Sequence, residues 1–186
     1  LKACHELGHA ISAHRYGCRV PTLGIAFMAF IPLFYTDVTD AWRLGSKRQR
    51  VIISAAGMAV EIILAGGATL LWAFLPAGPG RGIAFYVATV GWISSLAFNL
   101  NPLAKFDGYY ILCDLLGMEN LQSRSIALVR WKLRQILLVT DLDPPEKLGS
   151  RLAGWLIAYA CLVMVYRLVV FMGISLLFYT HAAKAL

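Results

Sequence analysis

Long apolar runs with almost no charge constrain the fold of this chain more than any other feature of its sequence. Residues 51–75, 83–100 and 152–179 approach or exceed the roughly 20 apolar residues that a membrane-crossing helix needs. Glu61 and Arg167 are the only Asp, Glu, Lys or Arg residues inside these runs. The hydrophobic share of 59% also exceeds the roughly 45–50% of a soluble domain. The sequence therefore predicts a polytopic membrane protein.

The remaining segments complete an expected all-α polytopic membrane protein with about four transmembrane helices. Residues 1–17 predict the first helix, and because only four residues precede His5 we expect it to be truncated, in an excerpt of a longer protein. Residues 20–35 are aromatic and interrupted by Pro and Gly, which predicts a short re-entrant, strand-rich loop. Residues 125–139 predict an interfacial amphipathic helix before the last span. A helix docked on a neighbouring domain is the alternative for that stretch.

The basic residues indicate how the chain is oriented. Most of the 17 Lys and Arg lie in residues 15–50 and 105–151, whereas the turn 76–82 carries only Arg81. Such a bias in short loops predicts that the basic side faces the cytoplasm. Since the basic residues flank apolar segments and form no separate polar module, we expect the lipid bilayer, and no nucleic acid, as a partner of this chain. The four cysteines show no CxxC spacing, and we interpret them as free, apolar residues.

The residues His5-Glu6-Leu7-Gly8-His9 form an HExxH motif at the start of the first helix. A spacing of four places both imidazoles on one helix face, where they can hold the same Zn²⁺. Glu6 lies beside them, placed to take a proton from a zinc-bound water. A five-residue pattern recurs by chance, so the motif needs a third ligand to predict a metalloprotease.

Asp107 is the predicted third ligand. His9 lies ~9 Å from the cytoplasmic end of its helix, so a third ligand should reach the same depth from another segment. The third span runs in the same direction, and Asp107 follows its end, flanked by Pro102 and Gly108, which allow the backbone to turn. A turn residue that caps a short helix is the alternative interpretation of Asp107. The weaker candidates for the third ligand are His14, Asp37, Asp40, Asp114 and Glu119.

The HELGH run together with Asn101-Pro-Leu-Ala-Lys-Phe-Asp107-Gly108 resembles the site-2 protease class of intramembrane zinc metalloproteases, peptidase family M50. The segments 35–42, 56–61 and 106–112 resemble a bacterial subgroup, the peptide zinc metalloproteases associated with HlyD-type secretion adaptor regions. The resemblance covers most of residues 1–120. It implies a 1–120 protease core, which leaves 121–150 as a cytoplasmic interfacial segment and 151–186 as a C-terminal transmembrane helix.

The same resemblance implies the roles of individual residues. His5, His9 and Asp107 would ligate one Zn²⁺ per chain, with Glu6 as the general base. The chain would lie in the bacterial inner membrane as a multi-pass protein with its active site towards the cytoplasm. A membrane peptide or protein would be the substrate, and an adaptor region in the same longer chain is a further expected partner.

Three polar residues near the expected site are candidates for substrate binding: Glu61, Asn99 and Asn101. Where many site-2 proteases carry GPxxN on the second core helix, this chain has Gly57-Met-Ala-Val-Glu61, and an ionised carboxylate only accepts hydrogen bonds. Glu61 could bind substrate as a neutral acid, line a water-filled path or pair with Arg167. The two asparagines could instead satisfy the broken backbone before Pro102.

The predicted function is that of an intramembrane zinc metalloendopeptidase, which hydrolyses peptide bonds of membrane-embedded or membrane-associated peptides through a Glu-activated, zinc-bound water. A non-proteolytic membrane component of a peptide maturation or export system, with a structural or vestigial zinc site, is the alternative. A transporter or channel would fit the spans but leaves the HExxH motif unexplained.

Overall fold

The computed structural model describes residues 1–28, 31–138, 143–146 and 148–185 of this chain, and the described part is mostly helical. It forms two compact units, residues 1–118 and residues 119–186. The described elements are α1 (Lys2–Arg15), β1 (Leu23–Met28), β2 (Ile31–Thr36), α2 (Lys47–Phe74), α3 (Pro79–Ile93), α4 (Asp107–Leu116), α5 (Leu121–Leu138) and α6 (Ser150–Ala185). The functional division at residues 120 and 150 stays a prediction.

Three of the described helical segments are long and apolar enough to cross a membrane: Lys47–Phe74, Pro79–Asn99 and Ser150–Ala182. This agrees with the prediction of a helical membrane protein. The count of four spans is not confirmed, because α1 has 14 residues, fewer than a crossing needs. The turn expected at 76–82 is shorter than predicted, since α3 already begins at Pro79, whose fixed φ suits the first turn of a helix.

The strands predicted in residues 20–35 form an antiparallel hairpin in the first unit. Leu23 pairs with Thr36 at one end of the register and Gly24 with Tyr35 beside it. The hydroxyl of Thr36 donates a 3.0 Å hydrogen bond to the backbone carbonyl of Glu6, which ties β2 to α1. Ala29 and Phe30, also part of the predicted loop, lie outside the described residues. The re-entrant placement of this hairpin stays a prediction.

Helix α2 packs against α1, α3 and α4 in the first unit, and small residues allow the close approach. A Cβ added to Gly8 of α1 would lie 2.9 Å from the carbonyl oxygen of Ala56 on α2. A Cβ added to Gly91 of α3 would lie 2.8 Å from the Cβ of Ala65, on the same helix α2. These contacts are too short for a larger side chain, so both glycines set the helix spacing.

Helices α5 and α6 pack together in the second unit. Arg124 of α5 forms an ion pair with Glu146, and Arg167 of α6 donates a 2.9 Å hydrogen bond to the side-chain oxygen of Gln122. The predicted amphipathic segment 125–139 falls on α5, with Val139 outside the described residues. Its interfacial position stays a prediction.

Candidate metal centre

Helix α1 brings His5 and His9 together because four residues make slightly more than one turn. Both residues are buried, and their Nε2 atoms lie 3.1 Å apart. The Nδ1 atom of His9 lies 2.8 Å from the backbone carbonyl oxygen of Ile53 on α2. Because a carbonyl only accepts, this contact fixes the proton on Nδ1 and leaves Nε2 with a lone pair in the neutral ring.

Asp107 reaches the same place from the start of α4. One oxygen of its carboxylate lies 3.0 Å from Nε2 of His5, and the other lies 3.4 Å from Nε2 of His9. Phe106, not Asp107, occupies the N-cap position of α4, and no side chain caps this helix terminus. The geometry therefore does not favour the alternative of Asp107 as a capping residue.

The backbone before Asp107 is turned as the Pro and Gly positions predicted. Asn101 accepts a 2.9 Å hydrogen bond from the backbone N–H of Leu103 through its side-chain oxygen. Gly108 packs directly against the backbone of Leu100, where an added Cβ would overlap the carbonyl group. This close approach requires glycine and directs the carboxylate next to it back towards α1.

The histidine and aspartate side chains fit a zinc ion. Their ligand atoms all lie within 4.8 Å of one another. Zn–N bonds of 2.0–2.1 Å in a tetrahedral site place two ligand atoms ~3.3 Å apart, close to the 3.1 Å between the two Nε2 atoms. Lone pairs that face one another beside a carboxylate repel unless a cation lies between them, so the donor set has the chemistry of a metal site.

Gly57 of α2 provides the space in which the imidazoles converge. A Cβ at this position would lie 2.6 Å from Nε2 of His5 and would overlap Nε2 of His9. The face of α2 that carries Gly57 also presents Arg50, Ile53 and Glu61 to the neighbouring helices. Helix α2 thus serves as the scaffold against which the three ligands are aligned.

The electrostatic environment of Asp107 favours positive charge at the centre. Burial alone would raise the pKa of this carboxyl, but in the metal-free protein its close contacts with the protonatable imidazoles of His5 and His9 outweigh burial and lower the pKa to about 2. The carboxylate is therefore ionised at neutral pH and available as a ligand.

Within the described residues, none of the other candidates for the third ligand belongs to a cluster of side chains that could bind a metal ion. Among the residues that the structure describes, His5, His9 and Asp107 form the one set of three or more His, Cys, Asp and Glu side chains that could share an ion. The other candidates remain outside it, namely His14, Asp37, Asp40, Asp114 and Glu119.

Asp114 instead anchors α4 on α2. It lies seven residues, or two turns, after Asp107, and its carboxylate accepts hydrogen bonds from Ser54 at 2.8 Å and from Arg50 at 3.2 Å. Burial raises the pKa of Asp114, and the contacts with Ser54 and Arg50 only partly offset it. These contacts of Asp114 hold α4 against α2, the helix whose Ile53 carbonyl contacts His9.

Glu6 lies beside the three proposed ligands in a pocket of about 240 Å³. The pocket is bordered by His9 and Asp107, by the end of β2, and by parts of α2 and α4. Within the described residues, the Glu6 carboxylate has no hydrogen-bond or ion-pair partner. Its oxygens are therefore available to a molecule that enters this pocket.

The predicted substrate-binding residues Glu61 and Asn99 contact each other. Glu61 is fully buried, and its Oε2 accepts hydrogen bonds from the Ser95 hydroxyl at 2.6 Å and from the Asn99 amide at 2.8 Å. Its other oxygen lies 2.8 Å from Nζ of Lys2 and 3.3 Å from Nδ1 of His5. A direct role of Glu61, Asn99 or Asn101 in substrate binding stays a prediction.

Sequence reasoning did not single out Ser95 or Lys2. Ser95 looked like an ordinary small residue of an apolar span, and only its spacing of four from Asn99 could have suggested a shared partner. The carbonyl of Ile53 has no sequence signal, because every residue carries the same backbone group.

Comparison with known proteins gives a partial similarity to a bacterial protein. A protein of Bacillus subtilis (strain 168), described as "Putative peptide zinc metalloprotease protein YydH", is 27% identical over 117 residues. The alignment covers 62% of this chain, and the chain spans 44% of that relative's length. No family model and no solved structure matches this chain. The chain is thus similar to a protein named as a zinc metalloprotease, in agreement with the coarse form of the sequence prediction.

Proposed function

We propose that this chain is the membrane-embedded core of a zinc metalloendopeptidase of the site-2 protease class, family M50, which cleaves membrane-embedded or membrane-associated peptides. One observation carries the proposal. His5, His9 and Asp107 converge from two helices on one point, and the unpartnered Glu6 carboxylate borders the pocket beside it. The three helices that are long and apolar enough to cross a membrane support the placement of this site in a membrane protein.

His5, His9 and Asp107 would hold the ion, one per chain, and leave a position open, as catalytic zinc sites do. A bound Zn²⁺ supplies Lewis-acid catalysis for hydrolysis of the peptide bond. Glu6 takes a proton from the attacking water and later gives it to the leaving amine, which is general acid–base catalysis by one carboxyl group. The hydrogen bond to Ile53 holds the His9 ring in the orientation that this chemistry needs.

Strand β2 is well placed to present a substrate. A helical substrate hides its scissile bond in the backbone hydrogen bonds of the helix, so it must unwind before cleavage. The end of β2 at Thr36 borders the same pocket as Glu6, and a two-stranded sheet has open edges to which an extended peptide can add. We propose that the substrate pairs with this hairpin as it enters.

The proposal includes the location of the protein. The excess of Lys and Arg in residues 15–50 and 105–151 supports a multi-pass protein of the bacterial inner membrane with the site towards the cytoplasm. A secretion adaptor region of the HlyD type, carried by the same longer chain, would be its partner in peptide maturation or export. M50 membership rests on the motifs around His5 and Asp107, and the adaptor subgroup rests on segments 35–42, 56–61 and 106–112.

The test compares the wild-type chain with Glu6→Gln, co-expressed with candidate membrane-anchored peptides whose fragments are identified by mass spectrometry. We expect Glu6→Gln to retain zinc and to lose cleavage by about 10²–10⁴-fold, the usual contribution of a general base. The exposed Glu119 provides a matched control, since Glu119→Gln makes the same chemical change at a residue that does not line the pocket. Undiminished cleavage by zinc-loaded Glu6→Gln would refute the assignment of the base.

The same experiment distinguishes the proposed protease from the alternative, a non-proteolytic membrane component. A non-proteolytic component would bind zinc in the wild type, yet none of the candidate peptides would be cleaved, and Glu6→Gln would behave as the wild type in every assay. Cleavage that a chelator abolishes and added zinc restores would exclude that alternative.

A further inference from the structure

We infer that Glu61 is a positioning residue for the proposed metal ligand His5, an inference that rests on the proposed function. Glu61 lies in the middle of α2, fully buried in a segment apolar enough to cross a membrane. A charge at such a place is costly unless it is paired, and it usually has a function. Its Oε1 atom lies 3.3 Å from Nδ1 of His5, the nitrogen on the far side of the ring from the metal centre.

Among the described residues, Glu61 supplies the polar atom nearest to the unsatisfied Nδ1 of His5. Nδ1 of His5 is buried and makes no hydrogen bond of good geometry, whereas Oε1 of Glu61 is paired with Nζ of Lys2 at 2.8 Å and can accept a further hydrogen bond. An unpaired buried donor is destabilising, so a slight turn of the ring that closes the 3.3 Å gap would give Nδ1 of His5 its acceptor in Oε1 of Glu61. That turn places the proton on Nδ1 and directs the lone pair of Nε2 towards the centre.

The Glu61 carboxylate is itself held in place from three directions. Ser95 and Asn99 donate to Oε2, and Nζ of Lys2 lies 2.8 Å from Oε1. These contacts restrict rotation of the carboxyl group, so that Oε1 stays next to His5. A carboxylate fixed in this way can orient an imidazole, as carboxylates behind metal-bound histidines do.

A π-helical segment, Ser94–Asn99, brings both donors to Glu61. The backbone N–H of Leu100 bonds to the carbonyl of Ser95 at 2.9 Å, five residues earlier, which marks the widened turn. Such π-helical turns are rare and are frequently found at functional sites. Because Asp107 follows this segment closely in sequence, Glu61 links the ligand on α1 to the segment that leads to the third ligand.

The arrangement differs from a direct contact with substrate. The side chain of Glu61 has no exposed surface, and both of its oxygens face residues of α1 or of the π-helical segment. Its counterpart for His9 is the carbonyl oxygen of Ile53, which contacts the equivalent nitrogen. Each histidine thus has an acceptor from α2 behind it.

The test measures metal binding by the full chain in detergent and is independent of activity. The zinc affinity of wild type, Glu61→Gln and the exposed control Glu119→Gln is determined by competition with a chromophoric chelator. The absorption bands of the Co²⁺-substituted proteins report ligand geometry. We expect Glu61→Gln to bind zinc about 10- to 100-fold more weakly and to shift the Co²⁺ bands. Glu119→Gln should match the wild type in both measurements.

Milder variants keep the test decisive if Glu61→Gln does not fold. Ser95→Ala and Asn99→Ala each remove one donor to Oε2 and keep the carboxylate, so each should weaken zinc binding by a few-fold and shift the Co²⁺ bands in the same direction. Thermal unfolding of the metal-free proteins separates loss of the metal site from general loss of stability.

The outcomes are distinguishable. Wild-type zinc affinity and Co²⁺ bands in Glu61→Gln, or in both milder variants, would overturn the positioning role and leave the metal site standing. A raised KM for peptide with an unchanged Co²⁺ spectrum would also overturn it, in favour of substrate contact. If the wild-type chain takes up no stoichiometric zinc, the proposed function fails, and this inference fails with it.

Discussion

The substitution Gly57→Ala should disable the metal centre without harming the helix that carries it. The new methyl carbon would lie 2.6 Å from Nε2 and 2.7 Å from Cε1 of His5, and it would overlap Nε2 of His9. Ordinary contacts between such atoms are ~3.5 Å or longer. Both imidazoles must therefore move away by about 0.9 Å or more unless α2 itself shifts, and His9 can move only by weakening its hydrogen bond to Ile53.

The expected size of the effect follows from packing and from the narrow tolerance of metal sites. Inserting a carbon into a well-packed site costs typically 1–3 kcal/mol. Distances at a zinc site tolerate only ~0.2 Å of change, so we assign most of this packing cost to the zinc-bound form of the protein. That cost corresponds to a loss of about 5- to 150-fold in zinc affinity. The metal-free protein should lose little stability, since replacing a glycine inside a helix gains roughly 0.5–1 kcal/mol.

The assay is a chelator-competition titration of zinc, together with thermal unfolding of the metal-free protein. Gly66→Ala and Gly67→Ala are matched controls on the same helix, because an added Cβ at either position meets nothing within 4 Å. Both controls should bind zinc as the wild type does. Undiminished zinc affinity in Gly57→Ala would refute the reasoning that this glycine makes room for the ligands.

The remaining predictions concern packing and orientation. Asp114→Ala should destabilise the fold by about 3 kcal/mol, because it leaves the largely buried Arg50 guanidinium without its carboxylate. Thermal unfolding measures this, and an unchanged melting temperature would contradict the anchoring role. Gly8→Ala should separate α1 from α2 and cost roughly 1–3 kcal/mol, seen in the same assay. A membrane-impermeant maleimide should label Ala77→Cys in intact cells and Gly45→Cys only after permeabilisation, and the reverse pattern would contradict the proposed orientation.

The parts of the fold that follow from local patterns could be predicted from the sequence. The apolar runs show the membrane-capable helices because hydropathy depends on composition alone, and the alternation of aromatic residues with Pro and Gly indicates the hairpin. The spacing of His5 and His9 fixes their common face whatever the rest of the chain does. Helix α3 begins at Pro79, four residues before the apolar run 83–100, because Pro suits the first turn of a helix as well as a loop.

The parts that depend on contacts between distant segments could not be derived in this way. That Gly57 lies against both imidazoles depends on how α1 crosses α2, which no local pattern encodes. The partners of Glu61 depend on a π-helical turn that looks like ordinary helix in the sequence. Pro102 and Gly108 predict a turn of the backbone near Asp107, but the mixed composition of residues 101–150 gives no clear signal for helix α4.

X-ray absorption spectroscopy at the zinc edge of the purified, zinc-loaded chain tests the central claim most directly. The account predicts one zinc per chain, with two imidazole nitrogens and carboxylate or water oxygens at ~2.0–2.2 Å, and with a changed oxygen shell in Asp107→Ala. A sulfur shell at ~2.3 Å, or a spectrum that Asp107→Ala leaves unaltered, would contradict a centre built from His5, His9 and Asp107.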